Sequence, residues 1–406
     1  MEFKPLWPGH RYYDHQLYAI KWMMERQGGI LADDIGLGKM IETIGFIVNA
    51  PLERTLILVP FAMLNNWIQT LVKAGCNVFV ASRAGTWIPL KSELHGIIDV
   101  HITNIDKVFK PFIQGESWDR FIIDEAHTIR NPKSQLNSAV NTVNSKDKWA
   151  ITNSPIVDSF TDLTTLLQFV VGKPVSSIRQ LIGTHILCRS MDHLRLVDSD
   201  APPRPEIYDV ICPYANTVEA LTYTTLIDSL KDEPITLYKK LSTLRTCPMA
   251  KLKVIKTIME LSLSANNRRY VILCSHRDEM QLIAMYIGAN CPVDHIIIDN
   301  EEERDIQLEF ARNTKSCAYI MQIKTAYMGV NLIDFNNLII MSPWWSAKII
   351  NNIIGCIVRI GQQDIVNIYH INYPDDRKIK DLFHKPSKLG EFMEFIRQYA
   401  DHTLSV

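Results

Sequence analysis

The chain has 406 residues, a length that accommodates about two or three domains. Its 47% hydrophobic and 21% charged residues are ordinary for a globular protein with sizeable cores. A formal net charge of -1 argues against a uniformly basic, histone-like DNA binder, but leaves room for a local basic groove.

The cysteines and the N-terminus bear on the cellular compartment. The cysteines form no C-x-x-C pair, so neither a zinc site nor a disulfide framework is indicated. The opening MEFKPLWPGH contains no apolar signal core, and no apolar run approaches membrane-spanning length. We therefore expect an intracellular protein, nuclear or cytoplasmic or carried in a virion, without a membrane partner.

Short apolar runs rich in Ile, Val and Leu recur along the first part of the chain, each followed by a turn and a longer amphipathic stretch. They are GGILA (28–32), TLILVP (55–60), NVFVAS (77–82), IIDVHIT (97–103), RFIIDEAH (120–127) and KWAITNS (148–154). Runs with so little alternation are typical of parallel strands that helices cover on both faces.

The segment DDIGLGKM (33–40) follows the first of these runs and opens the periodic stretch IETIGFIV. A glycine-rich turn between a strand and a helix lets backbone N–H groups face a phosphate, and Lys39 would reach its outer oxygens. The complete G-x-x-x-x-G-K-[ST] pattern fails, because Asp33 stands at its first position and Met40 at its last. Taken alone, the segment is equally well interpreted as a tight turn with an exposed lysine.

An acidic motif further along favours the phosphate-binding interpretation. The segment WDRFIIDEAHTIRNPKS (118–134) puts Asp124 and Glu125 at the end of an apolar strand, the end that faces the ligand crevice of a parallel sheet. Asp124 is suited to hold Mg²⁺, directly or through water, and Glu125 is suited to orient or deprotonate an attacking water. A surface Asp-Glu pair is the alternative, but the combination with a glycine-rich loop and a lysine makes a nucleotide site the better interpretation.

A second series of apolar runs follows a region of different character. Its members are YVILCS (270–275), HIIIDN (295–300), AYIMQI (318–323), NLIIMS (337–342) and VNIYHIN (366–372). The region before it contains the punctuating APPRPE (201–206) and the helical pattern TLYKKLSTLRTC (236–247). We predict an N-terminal lobe at 1–170, a connector with a helical insertion at 171–250 and a C-terminal lobe at 251–406.

These segments are part of a longer set of motifs in a characteristic order. The set is RYYDHQLYAIKWM (11–23), GGILADDIGLGKM (28–40), TLILVPFAMLNNW (55–67), DEAHTIRNPKS (124–134), AITNSPIVDS (150–159), YVILCSHRDEM (270–280), KTAYMGVNL (324–332) and PWWSAKIINNIIGCIVRIGQ (343–362). With these motifs the chain resembles the SWI/SNF-type ATPases of helicase superfamily two over nearly its whole length. The ending R-I-G-Q is more specific than the first motif, since few other families carry it in that context.

The resemblance implies an α/β fold of two RecA-like lobes, each with a parallel sheet flanked by helices, joined by a partly helical connector. It implies that ATP and Mg²⁺ bind between the lobes, so that closure and release drive movement along double-stranded DNA. The grip on the phosphate backbone would be mostly independent of sequence.

The resemblance also assigns roles to individual residues. Catalysis falls to Lys39, Asp124, Glu125 and Arg359, with Asp124 as the metal ligand and Arg359 as an arginine finger. His127 would couple the nucleotide site to motif III, which contains Thr152. Contacts to the nucleotide fall to Gln16, which would read adenine, and to Asp34, Gly36, Leu37, Gly38, Lys39, Met40, Gly329 and Gln362.

The sequence departs from the family pattern at chemically important positions. Met40 replaces the hydroxyl residue that ligates Mg²⁺, and a thioether is a poor ligand for that hard ion. Cys356 replaces the first of two arginines in the last motif, of which Arg359 remains. The other departures are Asn153, Ser154, Ala326, Tyr327 and Asn352.

Three functions stay open. The first is a DNA-stimulated ATPase that translocates on duplex DNA, a weakened and minimal motor of the kind that fits a virus or a transcription-associated role. The second is a degenerate nucleotide- or nucleic-acid-binding scaffold, with RNA polymerase or another protein as its partner. The third is a strand-separating or RNA-directed helicase. The intact D-E-A-H and R-I-G-Q favour the first function, whereas Met40 and Cys356 favour the second.

Overall fold

The computed structural model divides into two compact units. The first consists of Met1–Ser199 with Lys388–Val406, and the second of Asp200–Ser387. The structure describes residues 3–90, 98–175, 177–198, 200–214, 216–230, 249–261, 268–298, 307, 309–310, 314, 316–323, 331–344, 346–377 and 389–401.

A mostly parallel sheet forms the centre of the first unit. Its described strands are β1 Gly28–Leu31, β2 Thr55–Val59, β3 Asn77–Ala81, β4 Trp87–Pro89, β5 Asp99–Asn104, β6 Ser117–Asp124, β7 Asn144–Ile151 and β8 Ile186–Leu187. They lie in the order β4-β3-β5-β2-β6-β7-β1-β8. Among the described strands, β4 alone is antiparallel to its neighbour, so the predicted parallel strands are confirmed.

Helices cover both faces of this sheet. They are α1 Asp14–Met24, α2 Lys39–Asn49, α3 Phe61–Lys73, α4 Pro111–Gln114, α5 Gln135–Thr142, α6 Phe160–Val171, α7 Ile178–His185, α8 Met191–Val197, the 3₁₀ turns Ile105–Phe109 and Ala126–Ile129, and a C-terminal helix, Leu389–Tyr399. Along β6, Phe121 and Ile123 enter one apolar cluster and Ile122 enters the other, on the opposite face. A strand buried on both sides needs apolar residues at successive positions, which explains its continuous apolar run.

The second unit repeats this layered arrangement around a sheet whose described pairings are all parallel. The strands are β9 Glu206–Ile211, β10 Arg268–Cys274, β11 Asp294–Ile298, β12 Ser316–Gln322, β13 Asn337–Ile340 and β14 Asn367–Asn372, and the helices are α9 Thr217–Leu230, α10 Met249–Leu261, α11 Arg277–Asn290 and α12 Ala347–Ile357. The strand order is β11-β12-β10-β13-β14-β9. Both units therefore have the predicted α/β architecture of parallel sheets flanked by helices.

The division between the units differs from the predicted boundaries at 170 and 250. The chain after 170 still belongs to the first unit, because β8 pairs with β1. The second unit begins well before 251, because β9 pairs with β14. The predicted helical pattern at 236–247 lies outside the described residues.

The end of the chain also departs from the predicted lobes. The C-terminal helix is part of the first unit, not of the unit that precedes it in sequence. Ile396 is fully buried in the same apolar cluster as Ile182 and Ile186, which explains why the helix packs there. None of the described helices is both long and apolar enough to cross a membrane.

Candidate nucleotide site

The phosphate loop lies between the end of β1 at Leu31 and the start of α2 at Lys39. Gly36 and Gly38 have φ angles of 94° and 96°, a left-handed conformation that glycine adopts without steric cost. A Cβ atom on Gly38 would stand 2.5 Å from Nε2 of Gln16, so α1 packs directly against the loop. The loop thus has the backbone turn that the sequence predicts, with the N-terminus of α2 at its end.

Lys39 bends back over this loop. Its Nζ donates hydrogen bonds to the backbone carbonyl oxygens of Asp33, at 2.7 Å, and Asp34, at 3.1 Å. The ammonium group is therefore held at the loop itself, where it would balance the charge of a bound phosphate.

The carboxylate of Asp33 belongs to a fully buried ionic cluster with Arg189 and Glu42. Arg189 Nε donates to both oxygens of Asp33, at 3.1 and 3.0 Å, and Arg189 Nη2 donates to Glu42 Oε1 at 2.7 Å. Burial raises the pKa of Glu42 to about 8, against the opposing effect of Arg189. Asp33, which stands where the usual pattern has its first glycine, is thus a member of a buried ionic cluster.

Asp34 is held from two other parts of the chain. Its Oδ1 accepts from Arg397 Nη2 at 2.8 Å, and its Oδ2 accepts from the backbone N–H of Met191 at 3.0 Å. Neither Arg189 nor Arg397 lies in a motif that the sequence singles out. The only signal for them is the general need of buried carboxylates for a cation, which does not identify the partner.

Gln16 lies against the loop and is nearly completely buried. Its Nε2 donates to the carbonyl oxygen of Leu37 at 3.2 Å, and its Oε1 accepts from the backbone N–H of Tyr13 at 3.2 Å. His15 Nε2 lies 2.9 Å from the same Leu37 oxygen. The predicted adenine contact of Gln16 stays a prediction, since the structure shows its amide bound to the backbone.

The predicted acid pair lies at the end of β6. Asp124 is buried, and its two oxygens accept from Trp67 Nε1 and from the backbone N–H of Glu125, both at 2.8 Å. Burial and then the charge of Glu125 raise the pKa of Asp124 to about 7, whereas Lys39 lowers it. Trp67 matched a family motif in the sequence, but its role in orienting Asp124 emerges only from the structure.

Glu125 has the sole positive φ angle of a non-glycine residue in the described chain, 49°. Such a conformation costs free energy and is concentrated at functional sites. Glu125 Oε2 lies 3.1 Å from Nδ1 of His127, and the same nitrogen lies 3.2 Å from the hydroxyl of Thr152. His127 thus lies between Glu125 and Thr152, and its coupling of the nucleotide site to the segment of Thr152 stays a prediction.

The described residues provide one buried carboxylate for Mg²⁺, not a complete metal cage. No group of three or more His, Cys, Asp or Glu side chains suited to a metal occurs within the described ranges. Asp124 fits a magnesium ion that keeps several waters and takes its other ligands from a nucleotide. Met40 does not complete such a site, because its side chain packs against the apolar cluster beside α2.

The predicted site residues of the second unit are held to different degrees: Gln362 is hydrogen-bonded to the backbone, whereas Arg359 is half-buried. Gln362 is fixed, since its Nε2 donates to the carbonyl oxygens of Ile333, at 2.8 Å, and Phe335, at 3.0 Å. Arg359 is half-buried, and desolvation lowers the pKa of its guanidinium. Cys356 lies in an apolar cluster, where a longer charged side chain would have to be desolvated. Gly329, with Ala326 and Tyr327, lies outside the described residues.

Two family models match the chain in succession. A model of the SNF2-related domain matches residues 15–186, and a model of the helicase conserved C-terminal domain matches residues 250–361. The first match contains the phosphate loop and the acid pair, and the second ends just after Arg359. The residues between the two models include the boundary between the units.

Among curated proteins, the SWI/SNF chromatin-remodeling complex subunit snf22 of Schizosaccharomyces pombe is 33% identical over 183 residues, covering 41% of this chain and 11% of that protein. The probable global transactivator of Orgyia pseudotsugata multicapsid polyhedrosis virus is 20% identical over 462 residues, covering 96% of this chain and 91% of that protein. Thus the chain spans only a small part of the fungal relative but nearly all of the viral one.

Among solved structures, the Sulfolobus solfataricus SWI2/SNF2 ATPase core in complex with dsDNA matches this chain. It is 20% identical in sequence, with a TM-score of 0.45, and the alignment covers 99% of this chain and 100% of that chain.

Proposed function

Because the chain belongs to the SNF2-type ATPases of helicase superfamily two, we propose that it hydrolyses ATP and uses the energy to translocate on double-stranded DNA. The observation that carries the hydrolytic part is geometric. Gly36 and Gly38 turn the phosphate loop into the N-terminus of α2, where Lys39 lies, and Asp124 is buried at the end of β6 with Trp67 bound to its carboxylate. A phosphate-binding lysine and a metal carboxylate are parts that an ATP site requires.

The residues of the first unit divide the hydrolytic work between them. Lys39 binds the outer phosphates, and Asp124, oriented by Trp67, would hold Mg²⁺, directly or through water. The ion would neutralise charge on the phosphate oxygens and so favour attack by water. Glu125 orients that water and receives its proton, with His127 beside its carboxylate. Arg359 remains the proposed arginine finger.

Duplex DNA is the proposed polymer substrate. Chromatin-remodelling proteins and a viral transactivator are among the relatives, which supports a nuclear or viral setting. RNA polymerase stays a proposed partner, supported only by the transcriptional name of the viral relative. Since the grip on DNA would be made through phosphates, binding should weaken steeply with added salt.

A scaffold without hydrolysis is the second candidate function, and one observation favours it. Met40 is partly buried and packs against one apolar cluster, and Cys356 is buried in another, so both departures from the family pattern make apolar contacts where the family has a polar or charged side chain. No rotation of these two side chains would supply the missing hydroxyl or guanidinium group.

ATP hydrolysis by the purified chain separates the two candidates. We would measure it alone and with duplex DNA, single-stranded DNA and RNA, with Glu125→Gln as the matched blank. We expect duplex DNA to give the largest stimulation and Glu125→Gln to bind nucleotide without turning it over. Hydrolysis no greater than that of the blank under every condition would reject the ATPase and favour the scaffold, and stimulation by RNA or single strands alone would reject the duplex translocase.

A further inference from the structure

The C-terminal end of the chain is built into the first unit through its backbone as well as its apolar side chains. The N–H of Asp401 donates to the carbonyl oxygen of Ile186 at 3.0 Å, and the N–H of Cys188 donates to the carbonyl oxygen of Asp401 at 2.8 Å. These bonds continue from β8, the strand next to β1. The C-terminal end is therefore fixed to β8, the neighbour of the strand β1 that leads into the phosphate loop.

Two side chains of this segment contact the elements that shape the loop. Arg397 donates to the carboxylate of Asp34, as described above, and Asp401 Oδ2 accepts from the hydroxyl of Tyr18 at 2.6 Å. Tyr18 lies on α1, the helix whose Gln16 bonds to the loop carbonyl of Leu37. The C-terminal segment thus reaches the loop both directly and through α1.

The contact at Asp34 has an electrostatic consequence for anion binding. Asp34 places a carboxylate in a loop that would hold a triphosphate. The negative charges of the carboxylate and of the phosphates would repel each other, the more so where water is partly excluded. Arg397 compensates that charge across 2.8 Å, and both side chains are only about 30% exposed, at 27% and 31%.

The contact also fixes the backbone. The carbonyl oxygen of Asp34 is one of the two acceptors of the Lys39 ammonium group. The carboxylate of the same residue is held by Arg397 on one oxygen and by the N–H of Met191 on the other. Loss of Arg397 would therefore remove one of the two hydrogen bonds that hold the carboxylate of Asp34, the residue whose carbonyl oxygen accepts from Lys39.

We propose that Arg397, a residue of the C-terminal helix, is a positioning residue of the nucleotide loop: it neutralises Asp34 and holds the loop in the form that accepts a triphosphate. This inference rests on the proposed function only in taking a nucleoside triphosphate as the ligand. Its effect acts on nucleotide binding rather than on the chemical step, because Arg397 contacts neither of the catalytic acids Asp124 and Glu125 in the described structure.

The test compares Arg397→Ala and Arg397→Lys with Arg179→Ala in the full chain. Arg179 lies over the ring of Tyr399, 5.4 Å from its centroid, so its removal perturbs the same helix without touching the loop. We would measure the Kd of a fluorescent ATP analogue, the KM and kcat of hydrolysis, and amide hydrogen exchange of residues 31–39 without nucleotide.

For Arg397→Ala we expect Kd and KM to rise about tenfold, with kcat within about twofold and faster exchange in the loop, the size expected of a partly buried ion pair. Arg397→Lys should recover at least half of the lost affinity, and Arg179→Ala should bind as the parent does. A loss in kcat alone, or an equal loss in Arg179→Ala, would overturn the proposal.

The exchange measurement separates this inference from the proposed function. Should the parent chain bind no nucleotide, the proposed function fails, whereas faster loop exchange in Arg397→Ala would still establish the anchoring role. Unchanged exchange would overturn that role whatever the nucleotide result. Should Arg397→Ala fold poorly, Asp34→Ala provides the second test, because it removes the carboxylate that Arg397 holds. Exchange of residues 35–39 should then become faster, and unchanged exchange would overturn the anchoring role.

Discussion

The charged residues of the phosphate loop in the first unit have partners, whereas Arg359, in the arginine turn (residues 358–361) of the second unit, makes no ion pair among the described residues. In the loop, Asp33 is paired with Arg189, Asp34 with Arg397, and Lys39 with backbone carbonyl oxygens. Ionic groups that are buried in pairs with satisfied hydrogen bonds hold a local conformation. These pairs therefore connect the loop to Arg189, which follows β8, and to the C-terminal helix.

Arg359 in the arginine turn has no such compensation among the described residues. No ion pair joins Arg359 to a carboxylate among the residues that the structure describes, and desolvation lowers its pKa. A half-buried cation without a partner is costly, and such groups are concentrated at functional sites. The first unit thus pairs the charges of its candidate site, whereas the proposed arginine finger of the second unit has no carboxylate partner among the described residues.

The largest expected effect on activity comes from removing the guanidinium group of Arg359. For Arg359→Ala we expect kcat for ATP hydrolysis to fall about a thousandfold or more, the range for arginines that stabilise a transferring phosphoryl group. The Kd of the ATP analogue should change only a few-fold. Steady-state hydrolysis and equilibrium binding on the same preparation measure the two effects.

Folding stability gives this prediction its control. Because Arg359 has no described ion pair to lose, Arg359→Ala should unfold at the same urea concentration as the parent or at a higher one. A variant that loses stability in proportion to its activity would show that Arg359 is a structural residue, and the contrast between the units would disappear.

The fold was largely predictable from the sequence because its signal is local. A continuous apolar run such as TLILVP specifies a strand buried on both faces without reference to the rest of the chain. The boundaries were not predictable in the same way. The C-terminal helix joins the first unit through contacts of Ile396 with residues about two hundred positions earlier, and no local pattern encodes that choice.

The site was predictable where residue type and chemistry coincide, and not where a partner is chosen by tertiary contact. Lys39, Asp124 and Glu125 follow from a turn and a strand end, and the structure puts Lys39 and Asp124 within electrostatic reach. The cations that hold the loop come from residues 189 and 397, far away in sequence. Their identity depends on the packing of β8 and the C-terminal helix, which composition and periodicity do not give.

The buried cluster of the loop provides the next test, through pH. The pKa of Glu42 is raised from 4.5 to about 8 by burial, and Oε2 of Glu42 has no hydrogen-bond partner among the described residues. The folded state thus holds a proton that the unfolded state releases between these values, so stability falls as pH rises from about 4.5 to about 8. Glu42→Gln keeps the shape and the acceptor for Arg189 but cannot ionise.

We expect the free energy of unfolding of the parent to fall by roughly 2–5 kcal/mol relative to Glu42→Gln across this pH range. Urea unfolding of both proteins from pH 5 to pH 9 measures the difference directly. A difference that is constant with pH would mean that Glu42 stays ionised beside Arg189, and the loop would then contain two charged carboxylates around one guanidinium.

The smallest expected effect comes from Met40, where the loop itself departs from the family pattern. Met40→Thr supplies a hydroxyl at the start of α2, a hard oxygen ligand of the kind that Mg²⁺ prefers, but removes apolar contact with the cluster beside the helix. We expect ATP hydrolysis to rise a few-fold at low Mg²⁺ and to converge with the parent at high Mg²⁺, with a stability loss of about 1 kcal/mol. Met40→Leu is the matched control, since it keeps the packing without the hydroxyl. Equal rates for Met40→Thr and Met40→Leu at every Mg²⁺ concentration would mean that Asp124 and the nucleotide already place the ion. The paired charged residues of the loop, and not the missing hydroxyl, would then govern how this unit binds its ligand.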